Sequence, residues 1–327
     1  MADVLFPVYN NFFIGAYQAC VNEAAEMTNL SGADAIERDC YMYRAYIALG
    51  SYQVRREGSV RALLSSRPLV VPTYPRGALT IPPLSARLGS KQMVIDEITD
   101  ESATSLQAIK LLATHASRAH EREDCVARVT EHLADSALAN NPWLQLSAAL
   151  MHAADDNIVE AMKCCHTGLS LELMGLMCHL LIKIDRPELA AKHLAAMQAA
   201  DDDATLTQLA TAWVNLANGG GKIQDAFYVY QELGDKYAWT SKLYNGSAAC
   251  QMAMGRYDDA EKDLVEAINR DSKDPDTLQN LAVCALHLGK PTTRFLNQLK
   301  TLAPKPFAIE QLAAFEAQFD AAKAAYA

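Results

Sequence analysis

The stretch GRYDDAEKDLVEAI, residues 255–268, reads as a tight turn feeding an amphipathic helix. Gly255 can take a positive φ where one helix ends and the chain reverses, and Tyr257 packs at that turn. Ala260 is small enough to let its helix approach the preceding one closely, while Leu264 and Ala267 continue the same apolar stripe at helical spacing. The pattern recurs. Gly221, Gly255 and Gly289 are each 34 residues apart, and the same interval relates Ala226 to Ala260, Tyr230 to Leu264, Ala248 to Ala282 and Cys250 to Cys284.

A 34-residue period is the length of a tetratricopeptide unit, a pair of helices in which the second carries a small residue followed four later by a bulky one. The unit after residue 268 starts with KDPDTLQNL, where Asp274 can cap free amides and Pro275 sits where a missing N–H costs nothing. Its helix carries Leu278, Leu281, Ala282, Ala285 and Leu288 on one side. Asp271-Ser272 stands where the tetratricopeptide consensus has a helix-ending proline, which leaves that turn less well specified. Weaker units precede these. DRPELAAKHLAAM offers Ala190 and Leu194, and DNIVEAMKCCHTGL offers Ala161 and Cys165, at a 29-residue offset. IGAYQACVNEAAEM places Gly15, Tyr17 and Cys20 in the same turn-then-helix order, and ERDCYMYRAYIALGSY ends in Gly50 and Tyr52, 35 residues on. The expected fold is all-α: one tetratricopeptide-like, right-handed superhelical solenoid over residues 1–327. In residues 292–327 two helices divided by APKP are expected to close its last apolar face, with Leu312, Phe315 and Phe319 on one side of the second.

Residues 54–92 interrupt this rhythm. Omitting them makes ALGSYQ run into MVIDEI, which restores the turn and an amphipathic start at Val94, Ile95 and Ile98. The interruption holds five of the twelve prolines. It carries seven Lys/Arg against one Glu, a net of +6, so the rest of the chain carries -16 of the total -10. A span of that length without periodicity is either functional or disordered. We expect a disordered loop that splits the second repeat, with a docking segment as the alternative. Because its removal heals the repeat, we also hypothesise that it is translated intervening sequence; abundant peptides from within 54–92 in the natural protein would rule that out.

The remaining chemistry is sparse. Net charge -10 and a pI near 5.3 argue against a nucleic-acid partner. MADVLFPVYNNFF lacks the basic start of a signal peptide, and no run of 18 apolar residues occurs, so a cytosolic chain is expected. The eight cysteines lack disulfide-framework or CxxC spacing and read as reduced, buried thiols. NGGGK at 218–222 fails the phosphate-loop pattern at Leu216 and Ile223 and follows a helical segment, so it reads as an interhelical turn. Adjacent Cys164 and Cys165 point about 100° apart on a helix, which disfavours a shared metal with His166, Cys178 and His179. Asp201-Asp202-Asp203 reads as a helix cap. Tyr41, Tyr43, Tyr46, Trp213, Tyr228 and Tyr230 are partly core, and any that face a groove suit partner anchoring. No catalytic, cofactor or metal site is expected.

DDDATLTQLATAWVNLANGGGKIQDAFYVYQEL, LYNGSAACQMAMGRYDDAEKDLVEAI and LAVCALHLGKP resemble the epsilon subunit family of coatomer, the COPI vesicle coat, as do NNFFIGAYQACVNEA and ERDCYMYRAYIA. That resemblance covers nearly the whole chain outside 54–92. It implies a non-enzymatic coat component of a heteroheptamer, which binds and stabilises the C-terminal region of the alpha subunit. It also implies peripheral attachment at the cytoplasmic side of Golgi and vesicle membranes, in retrograde Golgi-to-ER and intra-Golgi transport. Repeat physics points the same way, since stacked helix pairs line a concave surface with their first helices. From helical position, Asn245, Ala249, Met252, Gln279, Val283 and Leu286 are the candidate groove residues, with Tyr46 added. The alternatives are another scaffold that holds a peptide in its groove, including an adaptor that clamps an acidic C-terminus with Lys/Arg. The scarcity of basic residues at these positions weighs against that clamp.

Overall fold

The computed structural model describes residues 3–49, 88–99, 101–302 and 307–326, and every regular element among them is helical. The order is α1 (Phe6–Phe13), α2 (Tyr17–Glu26), α3 (Gly32–Leu49), α4 (Leu88–Glu97), α5 (Thr104–Ser117), α6 (Arg122–Ala134), α7 (Pro142–Ala154), α8 (Ile158–Cys165) and α9 (Leu171–Lys183). There follow α10 (Pro187–Ala200), α11 (Thr205–Asn218), α12 (Lys222–Lys236), α13 (Ser241–Ala253), α14 (Tyr257–Arg270), α15 (Pro275–His287), α16 (Thr293–Thr301) and α17 (Phe307–Tyr326). A 3-10 turn, Ala119–Glu121, leads into α6. Consecutive helices pack as hairpins, and each even-numbered helix also touches the odd-numbered helix that follows. This is the stacked helix-pair array that the period predicts.

Small side chains set the spacing. Ala161, Ala190, Ala226 and Ala260, at equivalent places on α8, α10, α12 and α14, are completely buried. The reversals between paired helices also follow one rule. Gly15, Gly255 and Gly289 take φ of 85°, 77° and 66°, and in the units at the 29-residue offset Asp156 and Asp185 take φ of 62° and 61°. Gly221 differs: its φ is -62° and it stands as the residue before α12, while Gly219 and Gly220 carry the positive angles. The 34-residue interval therefore holds for the buried residues of α12 and α14, and the turn ahead of α12 shifts along the chain.

Caps complete the elements. Asn141, Ser170, Thr240 and Asp274 accept hydrogen bonds from first-turn amides of α7, α9, α13 and α15, and Pro142, Pro187 and Pro275 open their helices. The acidic triplet acts differently from expectation, because Ala204 precedes α11 and Asp201 Oδ1 accepts only from the Ala204 amide, at 3.1 Å. In place of a proline, Asp271 ends α14 by accepting from Lys273 N at 3.1 Å.

The array does not stay open. Helix α1 lies against α3 and also against α11, far along the chain. Thr205 Oγ1 donates to Asn10 Oδ1 at 2.5 Å, Thr240 Oγ1 donates to the Ile14 carbonyl at 2.5 Å, and the Phe6 and Tyr237 rings sit 6.2 Å apart. The first hairpin thus bridges the array from α3 to the start of α13.

At the other end, Ile309 of α17 packs with Leu278 and Leu299, whereas Phe315 and Phe319 are 37% and 70% exposed. Only the start of the expected cap is seated on the last repeat. Of the expected loop 54–92, residues 54–87 lie outside the described residues, and 88–92 form the first half of α4.

Candidate partner surface

The seven residues read as groove-facing do not form one lining. Asn245 on α13 is buried because α15 packs back onto it: its Nδ2 donates to Asp274 Oδ2 at 3.1 Å and to Thr277 Oγ1 at 2.5 Å, and Asn280 Nδ2 donates to its Oδ1 at 3.1 Å. Ala249 and Met252 are buried as well, Met252 among Leu281 and Cys284. These three hold α13 to its neighbours and are not accessible to a partner. Tyr46, on α3, is half-buried and packs against a cluster that includes Tyr43, Ile47 and Val94. Gln279, Val283 and Leu286 on α15 remain reachable, with Leu286 65% exposed. The open part of the odd-numbered helix face is thus at the C-terminal end.

Further back, that face is buried within the chain. Arg44 on α3 is 5% exposed, and its Nη1 lies 2.9 Å and 2.7 Å from the two carboxylate oxygens of Glu172 on α9. Its guanidinium stands 4.5 Å from the Phe12 ring centre, 5.4 Å from Trp143 and 5.8 Å from Tyr41. Aromatic faces and a carboxylate together compensate a buried cation. Burial, with the Glu172 charge beside it, holds the Tyr41 hydroxyl well above its ordinary pKa. Inward side chains of α1, α3, α7 and α9 thus pack on one another here, and α1 also reaches α11. Sequence reading missed Arg44, Glu172 and Phe12. The available signal was a charged residue inside an apolar stripe, since Arg44 shares the buried side of α3 with Cys40, Tyr41 and Ala48.

Of the aromatic group, Tyr41, Tyr43, Trp213 and Tyr230 are core, and Tyr228 is 59% exposed on α12. NGGGK forms the α11–α12 turn. Cys165 and Cys178 are buried and Cys164 half-buried; burial pushes the Cys164 thiol up to about 11 and the Cys178 thiol up to about 12, which leaves both protonated near neutrality. Among the described residues no group of His, Cys, Asp and Glu could hold a metal ion, and no helix is long and apolar enough to cross a membrane. Like the Arg44–Glu172 pair and the Asn245 network, the His115 Nε2–Asp155 contact at 2.9 Å ties helices together.

Comparison with known proteins places these features. The family described as Coatomer epsilon subunit matches residues 1–58 and 85–327. Coatomer subunit epsilon-1 of Arabidopsis thaliana is 40% identical over 325 residues, covering 99% of this chain and 98% of the plant protein. Coatomer subunit epsilon of Dictyostelium discoideum is 30% identical over 331 residues, covering 99% of each. Among solved structures, a tetratricopeptide repeat protein from Parabacteroides merdae superposes with a TM-score of 0.55 at 12% identity, over 68% of this chain and 88% of that one. A chain of the Cut9-Hcn1 hetero-tetramer of the APC/C gives 0.56 at 11% identity, over 92% and 52%. At such identities these two structures speak for the fold alone.

Proposed function

The chain belongs to the coatomer epsilon subunit family, and from that membership we propose that it binds and stabilises the C-terminal region of the alpha subunit, in retrograde Golgi-to-ER and intra-Golgi transport. At the coarser level it is a structural subunit of the COPI coat that associates with other coatomer subunits. The observation that supports the finer reading is the match to Coatomer subunit epsilon-1 over 99% of this chain and 98% of that protein. In this reading the protein is one of seven coat subunits, held peripherally on the cytoplasmic side of Golgi membranes, with no reaction of its own.

Gln279, Val283 and Leu286 supply the accessible contact on α15, an apolar and amide surface suited to a partner held in a stable complex. Co-expression with the C-terminal region of the alpha subunit tests this. We expect a complex that survives gel filtration, and Leu286→Asp to weaken it at least tenfold with an unchanged melting temperature, because that side chain is mostly in solvent. Recovery of the protein free from the alpha subunit in cytosol overturns the reading. Loss of binding together with loss of fold in Leu286→Asp overturns the surface assignment.

A further inference from the structure

Residues 49–53 read Leu-Gly-Ser-Tyr-Gln, and residues 88–92 read Leu-Gly-Ser-Lys-Gln. The second copy stands directly ahead of Met93, where the repeat resumes, and differs from the first only in having Lys91 for Tyr52. Two turns of the array carry the Gly-x-Tyr spacing of residues 50–52. Gly15 and Gly255 are each followed two residues later by a tyrosine, Tyr17 and Tyr257, and each tyrosine opens the second helix of its pair.

Lys91 does not open its helix as those tyrosines do, since α4 starts at Leu88 and Gly89 is helical, but it keeps their register, three residues ahead of a fully buried one: Val94, as Cys20 follows Tyr17 and Ala260 follows Tyr257. Tyr257, on α14, stacks at 4.1 Å on His287 in the last turn of α15, the first helix of the next pair. Lys91, on α4, lies against the last turn of α5, also the first helix of the next pair, with Nζ 3.5 Å from the Ala116 carbonyl. It is 2% exposed. A lysine is a poor occupant of such a slot. Burial pushes its pKa down to about 8, and the Arg122 guanidinium adds like-charge repulsion. A tyrosine would fill the same space without a charge to desolvate.

We propose that residues 54–92 form a removable cassette ending on a copy of the five residues that precede it, so that either copy can lead into the second helix of the pair, with Lys91 seated where the uninterrupted chain seats Tyr52. The chain then has two foldable lengths that share one array. The family match, which passes over residues 59–84, leaves out only residues of this cassette. This inference is independent of which partner the array binds.

Two shortened chains decide it. Deleting 54–92 keeps Tyr52, deleting 49–87 keeps Lys91, and the two products are otherwise identical. We expect both to give the helical circular dichroism and cooperative melting of the full chain, with the tyrosine form melting several degrees higher. In the full chain, Lys91→Tyr is expected to raise the melting temperature in the same direction. The proposal is overturned if either shortened chain fails to fold while the full chain folds. It is also overturned if the tyrosine form melts no higher than the lysine form, or if Lys91→Tyr leaves the full chain no more stable.

Discussion

Gly255 sits at φ 77° with open space where a Cβ would point, so an alanine there meets no atom and is strained only through its backbone. Gly255→Ala is expected to lower the free energy of unfolding by about 1–2 kcal/mol, read from urea melts. Asp185, at φ 61°, takes the same left-handed backbone with a side chain present. The glycine turns were legible in sequence because glycine favours that angle, whereas Asp156 and Asp185 hid two further turns behind an ordinary acidic residue. Lys91 adds a pH dependence. Below about pH 8 it is protonated in both states and the folded chain carries a buried charge; between there and its ordinary 10.5 the folded chain has lost a proton that the unfolded chain keeps. Its contribution to stability therefore rises with pH across that window. Full chain and Lys91→Met, compared by denaturant melts at pH 7.5, 9 and 10.5 (on the order of the window just set), are expected to converge as pH rises.

At the scale of elements, the array is set by how closely paired helices approach. Gly246 on α13 faces Tyr230 on α12 so tightly that a Cβ would lie 2.3 Å from a ring carbon. Tyr230 is 1% exposed and cannot swing away. Gly246→Ala is expected to cost about 1–3 kcal/mol by overpacking. Tyr230→Leu, the residue type that Leu264 supplies at the equivalent place on α14, makes room, so the double variant should be more stable than the two single losses added together. A double-mutant cycle in urea that returns strict additivity would mean that α12 and α13 do not meet at this point. Helices α11 to α16 were legible because two periods of 34 residues keep small and bulky residues in step. Helix α15 also shows where position alone misleads. Its Asp274, Thr277 and Asn280 take up the face of Asn245 that helical position had left open for a partner.

At the scale of the molecule, closure is the feature that periodicity does not encode. A repeat pattern reports contacts between neighbours, and the bridge from Asn10 to Thr205 joins residues far apart in the chain. Arg44 and Glu172 stand at the centre of that closed region, both about 5% exposed, in a setting where removing one charge strands the other. Arg44→Ala is therefore expected to cost about 3–5 kcal/mol, and the pair Arg44→Met with Glu172→Leu much less, because the double change leaves no unpaired charge. Hydrogen exchange separates closure from general packing. If the ion pair and its aromatic shell hold the first hairpin across the array, Arg44→Ala speeds exchange of α1 and α2 and of the first turns of α11 and α13, and leaves α14 and α15 protected, since their buried contacts are made elsewhere. Uniform loss of protection along the whole chain would instead make Arg44 an ordinary core residue. The partner surface proposed on α15 lies outside the closed region, so closure and partner binding are expected to fail independently: Arg44→Ala disturbs the first, and Leu286→Asp the second.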